Sequence, residues 1–235
     1  LDLLFINSLK SRLYKNDGKG KFIDMTSTIG IDFTSNGMKA GFFDYDLEGD
    51  LDLYVASGST NELYRNNADG TFTEVSNKSG TAGNSAKSKD IAFGDFDEDG
   101  DVDLFVLNQN GASRFYDNRR QGYFADITTT VGLNFVGEPS TVVSGDYNND
   151  GYLDLFISDL AGEQHAIFQN KGDGTFIKDE ASLSAIDGLT GFVIIQADFA
   201  DLDNDGYLDL LVAGNPVRKD KYQSGLLFLH NDGQG

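Results

Sequence analysis

Cysteine is absent from this 235-residue chain, which excludes a disulfide framework, thiolate metal sites and cysteine nucleophiles. The absence says little about compartment, because a chain of this size builds a core without disulfides. Positive charge is scarce: 18 Lys+Arg stand against 38 Asp+Glu, for a net charge of −20. Such a balance repels phosphate backbones and anionic lipid, so nucleic acid and membrane surfaces are poor partners and metal cations are the natural counter-charge. No apolar run approaches the roughly 18 residues of a membrane span, so no membrane insertion is expected. Leu1 opens mid-pattern with no positively charged n-region, and a signal peptide, if one exists, lies outside this chain. The two histidines, His165 and His230, have no repeated partner and read as structural or solvent-facing rather than catalytic. Helical periodicity is missing throughout. What is present suffices for a core: 39% hydrophobic residues, with 18 Phe and 10 Tyr among them, argue against disorder.

The chain repeats about every 50 residues. One block reads GFFDYDLEGDLDLYVAS from Gly41, AFGDFDEDGDVDLFVLN from Ala92, VSGDYNNDGYLDLFISD from Val143 and DFADLDNDGYLDLLVAG from Asp198. Its first aspartates, Asp44, Asp95, Asp146 and Asp201, are spaced by 51, 51 and 55 residues. A second block, of the type LYRNNADGTFTEVS, centres on Asn16, Asn66, Asn118, Asn170 and Asn231.

Each period holds four short strand-like runs separated by Gly, Asn and Asp turn signals; in the Asp95 repeat they fall near 89–94, 102–108, 113–118 and 123–128. The second run is almost continuously apolar, as in Leu104-Phe105-Val106-Leu107, which fits a strand buried on both faces. The fourth alternates, as in Thr71-Phe72-Thr73-Glu74-Val75, which fits an outer strand. Small residues in the first run, among them Gly41, Gly94 and Gly145, fit an inner strand crowded near an axis. The expected fold is therefore all-β, a β-propeller of four-stranded antiparallel blades. A single propeller segment over 1–235 divides into a partial blade at 1–30, blades at 38–83, 89–132 and 140–183, and a partial blade at 193–235. It reads as a segment of a larger propeller, with edges that something else must cover.

The loop between first and second strands has the form D-x-[DN]-x-[DE]-G-x-x-D-L. Calcium wants six to eight oxygens, and alternate side chains at positions 1, 3 and 5 converge on one point if the backbone turns sharply at a glycine in position 6. The expected side-chain ligands are Asp44, Asp46, Glu48 and Asp52; Asp95, Asp97, Asp99 and Asp103; Asp146, Asn148, Asp150 and Asp154; and Asp201, Asp203, Asp205 and Asp209. Position 7 offers its carbonyl, which is independent of side chain, and Asp50, Asp101, Tyr152 and Tyr207 vary accordingly. Position 12 is Val55, Val106, Ile157 or Val212 inside a strand, so these are not EF-hands. About four Ca2+ sites follow, structural because clustered carboxylates repel without metal. By carboxylate count the second loop binds most tightly, and the third, with neutral Asn148, binds more weakly.

These residues resemble the FG-GAP/VCBS repeats of integrin α-subunit propellers and bacterial secreted proteins. GDFDEDGDVDLFV and LYRNNADGTFTEVS look particularly like the repeats of the cartilage acidic protein and ASPIC/UnbV-associated group. The resemblance covers essentially the whole chain. It implies a propeller, commonly of seven blades, with calcium in these loops and an extracellular, cell-surface or periplasmic role in adhesion or ligand binding.

The metal loops lie on one face, and length variation falls on the other. From first Asp to Asn the blades span 22, 23, 24 and then 30 residues. The excess carries Arg218, Lys219, Lys221 and Tyr222, a contact surface for a partner in an otherwise acidic chain, or else a tolerated insertion. No catalytic residue is assigned, because the aspartate pairs recur four times and a catalytic site is unique. The expected function is a non-enzymatic calcium-binding scaffold for a protein or glycan ligand or a neighbouring chain. A lectin, or a propeller scaffold of a lyase-type carbohydrate-active enzyme, is the alternative. Recurring aromatic pockets between blades would favour the lectin, and a unique charged cluster at the axis the enzyme.

Overall fold

The computed structural model describes residues 2–7, 10–33, 36–83, 86–120, 122–135, 137–180, 187–217 and 225–233. Short turns join each strand to the next, so pairing is antiparallel between sequence neighbours and five sheets result. The first holds β1 (Leu3–Phe5), β2 (Arg12–Asn16) and β3 (Phe22–Asp24). The second holds β4 (Gly37–Phe43), β5 (Asp52–Ser57), β6 (Glu62–Asn66) and β7 (Phe72–Glu74). The third holds β8 (Ser88–Gly94), β9 (Asp103–Asn108), β10 (Arg114–Asn118) and β11 (Phe124–Asp126). The fourth holds β12 (Pro139–Gly145), β13 (Asp154–Asp159), β14 (Ala166–Asn170) and β15 (Phe176–Lys178). The fifth holds β16 (Phe192–Ala200), β17 (Asp209–Pro216) and β18 (Gly225–Leu229).

The first strands of the second to fifth sheets lie side by side, β4 against β8, β8 against β12 and β12 against β16, so the sheets radiate from a common axis as propeller blades. Crowding there dictates the small residues. A Cβ on Gly41, Gly94 or Gly145 would lie 2.3 Å from Phe93, 2.4 Å from Leu153 or 2.8 Å from Phe199 of the following sheet. Each of these four strands also shifts register at the same point, between Gly37/Lys39, Ser88/Asp90, Pro139/Val142 and Ile194/Gln196. Such a bulge adds local twist where the blades converge.

The core lies between sheets rather than in any one of them. Every residue of β5, β9 and β13 is buried. With a side-chain period of two, Leu53 and Val55 pack toward Leu4 and Leu13 of the first sheet, while Tyr54 and Ala56 pack with Leu104 and Val106 of the third. Phe105 and Leu107 meet Leu155 and Ile157 in turn, and Phe156 meets Ile194 and Val212. Each fully buried Phe or Leu contributes roughly 1.5–3 kcal/mol.

The fourth strands are shorter than their alternation predicts, three residues in β7, β11 and β15. A hydroxyl ends the pairing: Ser76 Oγ accepts the Leu63 N–H and Thr128 Oγ1 the Phe115 N–H, where a carbonyl of a longer strand would sit. A single helical turn at Ser76–Ser79 and a 3-10 turn at Asp187–Leu189 are too short to leave a 3.6-residue pattern.

Candidate metal centres

Each acidic loop is a nearly identical turn. Position 6 has positive φ in all four, +88° at Gly49, +90° at Gly100, +95° at Gly151 and +93° at Gly206, and its N–H donates to the position-1 carboxylate at 2.9–3.1 Å. Position 4 is left-handed too, at Leu47, Glu98, Asn149 and Asn204. The motif writes that position as any residue, and only the two asparagines suit it without strain.

The turn gathers carboxylates. Oxygens of Asp44, Asp46 and Asp52 lie within 4.8 Å of one another, as do those of Asp95, Asp97 and Asp99, and those of Asp201, Asp203 and Asp205. In the third loop Asn148 Nδ2 donates to Asp150 Oδ2 at 3.0 Å, and the Asp150 N–H donates to Asp146 Oδ1 at 3.0 Å. Asp44 Oδ1 and Asp95 Oδ1 are buried and accept no hydrogen bond among the described residues. A buried acceptor without a donor is costly, and a bound cation removes that cost. In the first three loops the side-chain donor set is all oxygen, which fits calcium, while in the fourth His230 groups with Asp203 and Asp209.

Position 9 has a second task. Asp52, Asp103 and Asp209 each accept two backbone N–H groups, from Asn66 and Tyr45, Asn118 and Phe96, and Asn231 and Leu202. Burial pushes the Asp52 carboxyl up to about 6 and those of Asp103 and Asp154 up to about 7, against the pull of these donors. Asp209 is also raised by burial, but the N–H groups of Asn231 and Leu202 together with His230 bring it below its ordinary value.

The repeated asparagine ties blade to blade. Asn118 Nδ2 donates to the Tyr45 carbonyl of the preceding sheet's loop at 2.8 Å, and Asn170 and Asn231 reach the carbonyls of Phe96 and Tyr147 at 2.7 Å. The Oδ1 of each asparagine accepts the N–H two residues on, from Gly18, Ala68, Arg120, Gly172 and Gly233, every one with positive φ.

Position 7 does not vary freely, contrary to the sequence reading. Tyr152 lies over Gly172 and Tyr207 over Gly233, where a Cβ would sit 2.4 Å from either ring. Asp101, buried, pairs instead with Arg120, whose Nε lies 2.6 Å from Asp101 Oδ2 and whose guanidinium also reaches Asp99 Oδ1 at 3.6 Å. A further position was missed: the residue before each asparagine borders the loop of its own blade. Gln169 Nε2 donates to Asp150 Oδ2 at 3.3 Å, and His230 Nδ1 lies 3.2 Å from Asp209 Oδ1 and 3.5 Å from Asp203 Oδ2. The fixed offset from the asparagine was the signal for it. His165, in contrast, is buried structurally, with Nδ1 accepting the Asp159 N–H and Nε2 bonded to the Phe192 carbonyl.

At the inner strands, Asp90 forms a cluster that does not repeat. Its Oδ1 meets Lys39 Nζ at 3.2 Å and the Ile91 N–H at 2.9 Å, and its Oδ2 takes the Thr141 hydroxyl at 2.5 Å and the Val142 N–H at 3.2 Å. With two donors on each oxygen it stitches β4, β8 and β12 together and has no lone pair placed for acid–base work. The loop residues Arg218, Lys219, Lys221 and Tyr222 lie outside the described residues.

These repeats define a class. The chain matches the FG-GAP-like repeat family over residues 1–55, 44–106, 95–157 and 159–212, and it belongs to that family. Among named proteins it is 28% identical over 167 residues to cartilage acidic protein 1 of Homo sapiens, and 27% over 165 residues to that of Xenopus tropicalis. Each match covers 65% of this chain but only 24% and 25% of those proteins. In fold it is similar to an Agrocybe aegerita lectin that recognises non-reducing terminal N-acetylglucosamine (TM-score 0.54, 20% identity, 99% of this chain and 63% of the lectin). It is similar also to the Malassezia sympodialis allergen Mala s 1 (TM-score 0.50, 12% identity, 96% of this chain and 68% of the allergen). Among the described residues no helix is long and apolar enough to cross a membrane.

Proposed function

We propose that the chain is a calcium-stabilised propeller that binds a protein or glycan partner outside the cytosol and carries no catalytic site of its own. The observation that supports the metal is the pair of buried, unpartnered carboxylate oxygens, Asp44 Oδ1 and Asp95 Oδ1, at the first position of two loops. Positions 1, 3, 5 and 9, with the carbonyls of Asp50, Asp101, Tyr152 and Tyr207, would hold the ion. It would neutralise the clustered charge and brace the connection between first and second strands. Loops of this kind suit the millimolar calcium found outside cells, which is the basis for the extracellular, cell-surface or periplasmic assignment.

For the partner, two clefts recur one blade apart. One of about 460 Å³ includes Tyr45, Asp46, Arg65, Val75 and Gly122, and one of about 290 Å³ includes Phe96, Asp97, Asp117, Ile127 and Gly174. The aromatic at the floor of each, Tyr45 or Phe96, is buried in the core, so the clefts offer a partner charged and polar side chains such as Asp46, Arg65, Asp97 and Asp117 and no aromatic platform. The inner Asp90 cluster, saturated with donors, does not support an enzyme.

Calorimetric titration of chelator-stripped protein tests the metal reading. About four sites are expected, and the Asp95→Asn/Asp97→Asn variant should lose one. No binding at millimolar calcium would refute the reading and the compartment argument built on it. Glycan-array binding with and without calcium then tests the partner.

A further inference from the structure

The residue before each repeated asparagine borders the acidic loop of its own blade, and its chemistry changes from blade to blade: Arg65, Asp117, Gln169 and His230. Arg65 lines one cleft with Asp46 of the first loop. Asp117 pairs through Oδ2 with Arg119, and its Oδ1 is buried and accepts no hydrogen bond among the described residues. Gln169 donates to Asp150 Oδ2 of the third loop at 3.3 Å. Of these four side chains, the imidazole alone offers a nitrogen lone pair.

The fourth loop sets that nitrogen among carboxylates. His230 Nδ1 lies 3.2 Å from Asp209 Oδ1 and 3.5 Å from Asp203 Oδ2, and one donor atom from each of the three residues lies within 4.8 Å of the others. A tetrahedral ion with nitrogen and oxygen ligands at about 2.0–2.2 Å separates its donors by about 3.4 Å, so three corners are in place. Backbone groups hold the two acids in position, as metal ligands require. The Asn231 N–H donates to Asp209 Oδ1 at 2.9 Å and the Leu202 N–H to its Oδ2 at 3.0 Å, and each oxygen keeps a second lone pair. The Asp205 N–H donates to Asp203 Oδ1 at 3.2 Å and leaves Oδ2 facing the imidazole. Asp209 is buried, whereas Asp203 and His230 are about half exposed, so the fourth corner faces solvent.

We infer that the fourth loop is a site for a divalent transition ion of the zinc class, held by His230, Asp203 and Asp209 with water at the open corner. Calcium is a hard cation that takes oxygen ligands, while a neutral imidazole suits zinc and its neighbours. The ion shares Asp203 and Asp209 with the calcium positions, so the loop holds one ion at a time: the transition ion where it is present, calcium otherwise. The inference rests on the reading that these loops bind cations, but not on calcium in the other three. The chain supplies its own control. It has no cysteine and two histidines, and both ring nitrogens of the buried His165 are taken up by the Asp159 N–H and the Phe192 carbonyl. An imidazole-bound ion therefore sits on His230.

The test titrates Zn2+ into the tag-free, chelator-stripped chain at neutral pH, with and without millimolar calcium, by calorimetry and by imidazole 15N resonance. One zinc per chain should bind and survive the calcium, moving the His230 resonances and leaving those of His165 in place. Saturating zinc should remove one calcium site. Co2+ in place of zinc should give the visible bands of a four-coordinate site. His230→Gln, which gives the fourth loop the residue of the third, should weaken zinc by about tenfold or more, since loss of even an outer-shell partner costs about 10–100-fold. It should leave calcium binding at the other loops intact, and Asp203→Asn should weaken zinc as well. Zinc that binds His230→Gln equally well, or that leaves the His230 resonances unmoved in the unaltered chain, overturns the inference. Displacement of zinc by millimolar calcium overturns it too. A chain that binds neither ion sinks this inference together with the calcium reading, whereas zinc bound at His230 without calcium elsewhere supports the first and sinks the second.

Discussion

The asparagine that reaches from one blade to the previous one can be weighed against a copy of itself that does not. Asn118 is fully buried; its side chain donates to the Tyr45 and Val102 carbonyls and accepts the Arg120 N–H. Asn118→Ala therefore strips partners from three backbone groups and opens a small void. Orphaned buried groups cost about 1–3 kcal/mol each, less where water reaches them, so a loss of about 3 kcal/mol is expected. Asn16 makes the same turn, accepting the Gly18 N–H at 2.9 Å, but is not buried, and Asn16→Ala should cost about 1 kcal/mol or less. Urea unfolding followed by far-ultraviolet circular dichroism reads the difference, since the chain has no tryptophan. With a slope of about 2–3 kcal/mol per molar urea, the midpoints should separate by about 1 M. Asn118→Asp, which sets a buried carboxylate against the Tyr45 and Val102 carbonyls, should cost at least as much as Asn118→Ala. If Asn118→Ala and Asn16→Ala shift the midpoint equally, the bond between blades contributes nothing and the reasoning fails.

Three other outcomes follow from the loops. Asp52, Asp103 and Asp154 are raised by burial to about 6, 7 and 7, so without metal the folded chain binds more protons than the unfolded one between about pH 4 and pH 7. Melting temperature in chelator should fall as pH rises through that window and flatten in calcium, which holds the ionised form; a rise in chelator contradicts the assignment. Arg120 sits on Asp99 and Asp101 as a tethered cation, so Arg120→Gly, with the residue its sister turns carry at Gly172 and Gly233, should tighten calcium binding at the second loop by about threefold to tenfold in calorimetry. Unchanged or weaker binding would refute the competition. Gly172→Ala should cost about 2–4 kcal/mol in urea, because its Cβ meets the Tyr152 ring in a left-handed turn, and Tyr152→Ala in the same chain should recover part of that loss.

The blades were legible because the chain repeats its physics. A buried second strand, a small-residue first strand and a fixed Asp–Gly loop each recur, so one repeat corroborates another. What escaped notice lies where the repeat varies or where contact is distant. Asn118 finds Tyr45 across 73 residues, a bond with no local trace. The tyrosines at position 7 look like free variation until Gly172 and Gly233 are seen beneath their rings. Leu47 takes a left-handed conformation that its residue type gives no reason to expect. His230 seemed to lack a repeated partner because its equivalents, Arg65, Asp117 and Gln169, share a place and not a chemistry.

The matched stretches 44–106 and 95–157 start at an acidic loop and end in the second strand of the following sheet, so the unit that recurs in sequence is out of phase with the unit that folds. Because each apolar cluster is built half from one sheet and half from the next, a duplicated stretch arrives with both halves of a seam already matched to its neighbours. Excising residues 44–94 would join the first strand of one blade to the loop of the next at an equivalent position, like to like. A lineage built this way gains or loses blades without inventing a new interface, and the number of blades becomes the quantity free to drift while the seam stays constant.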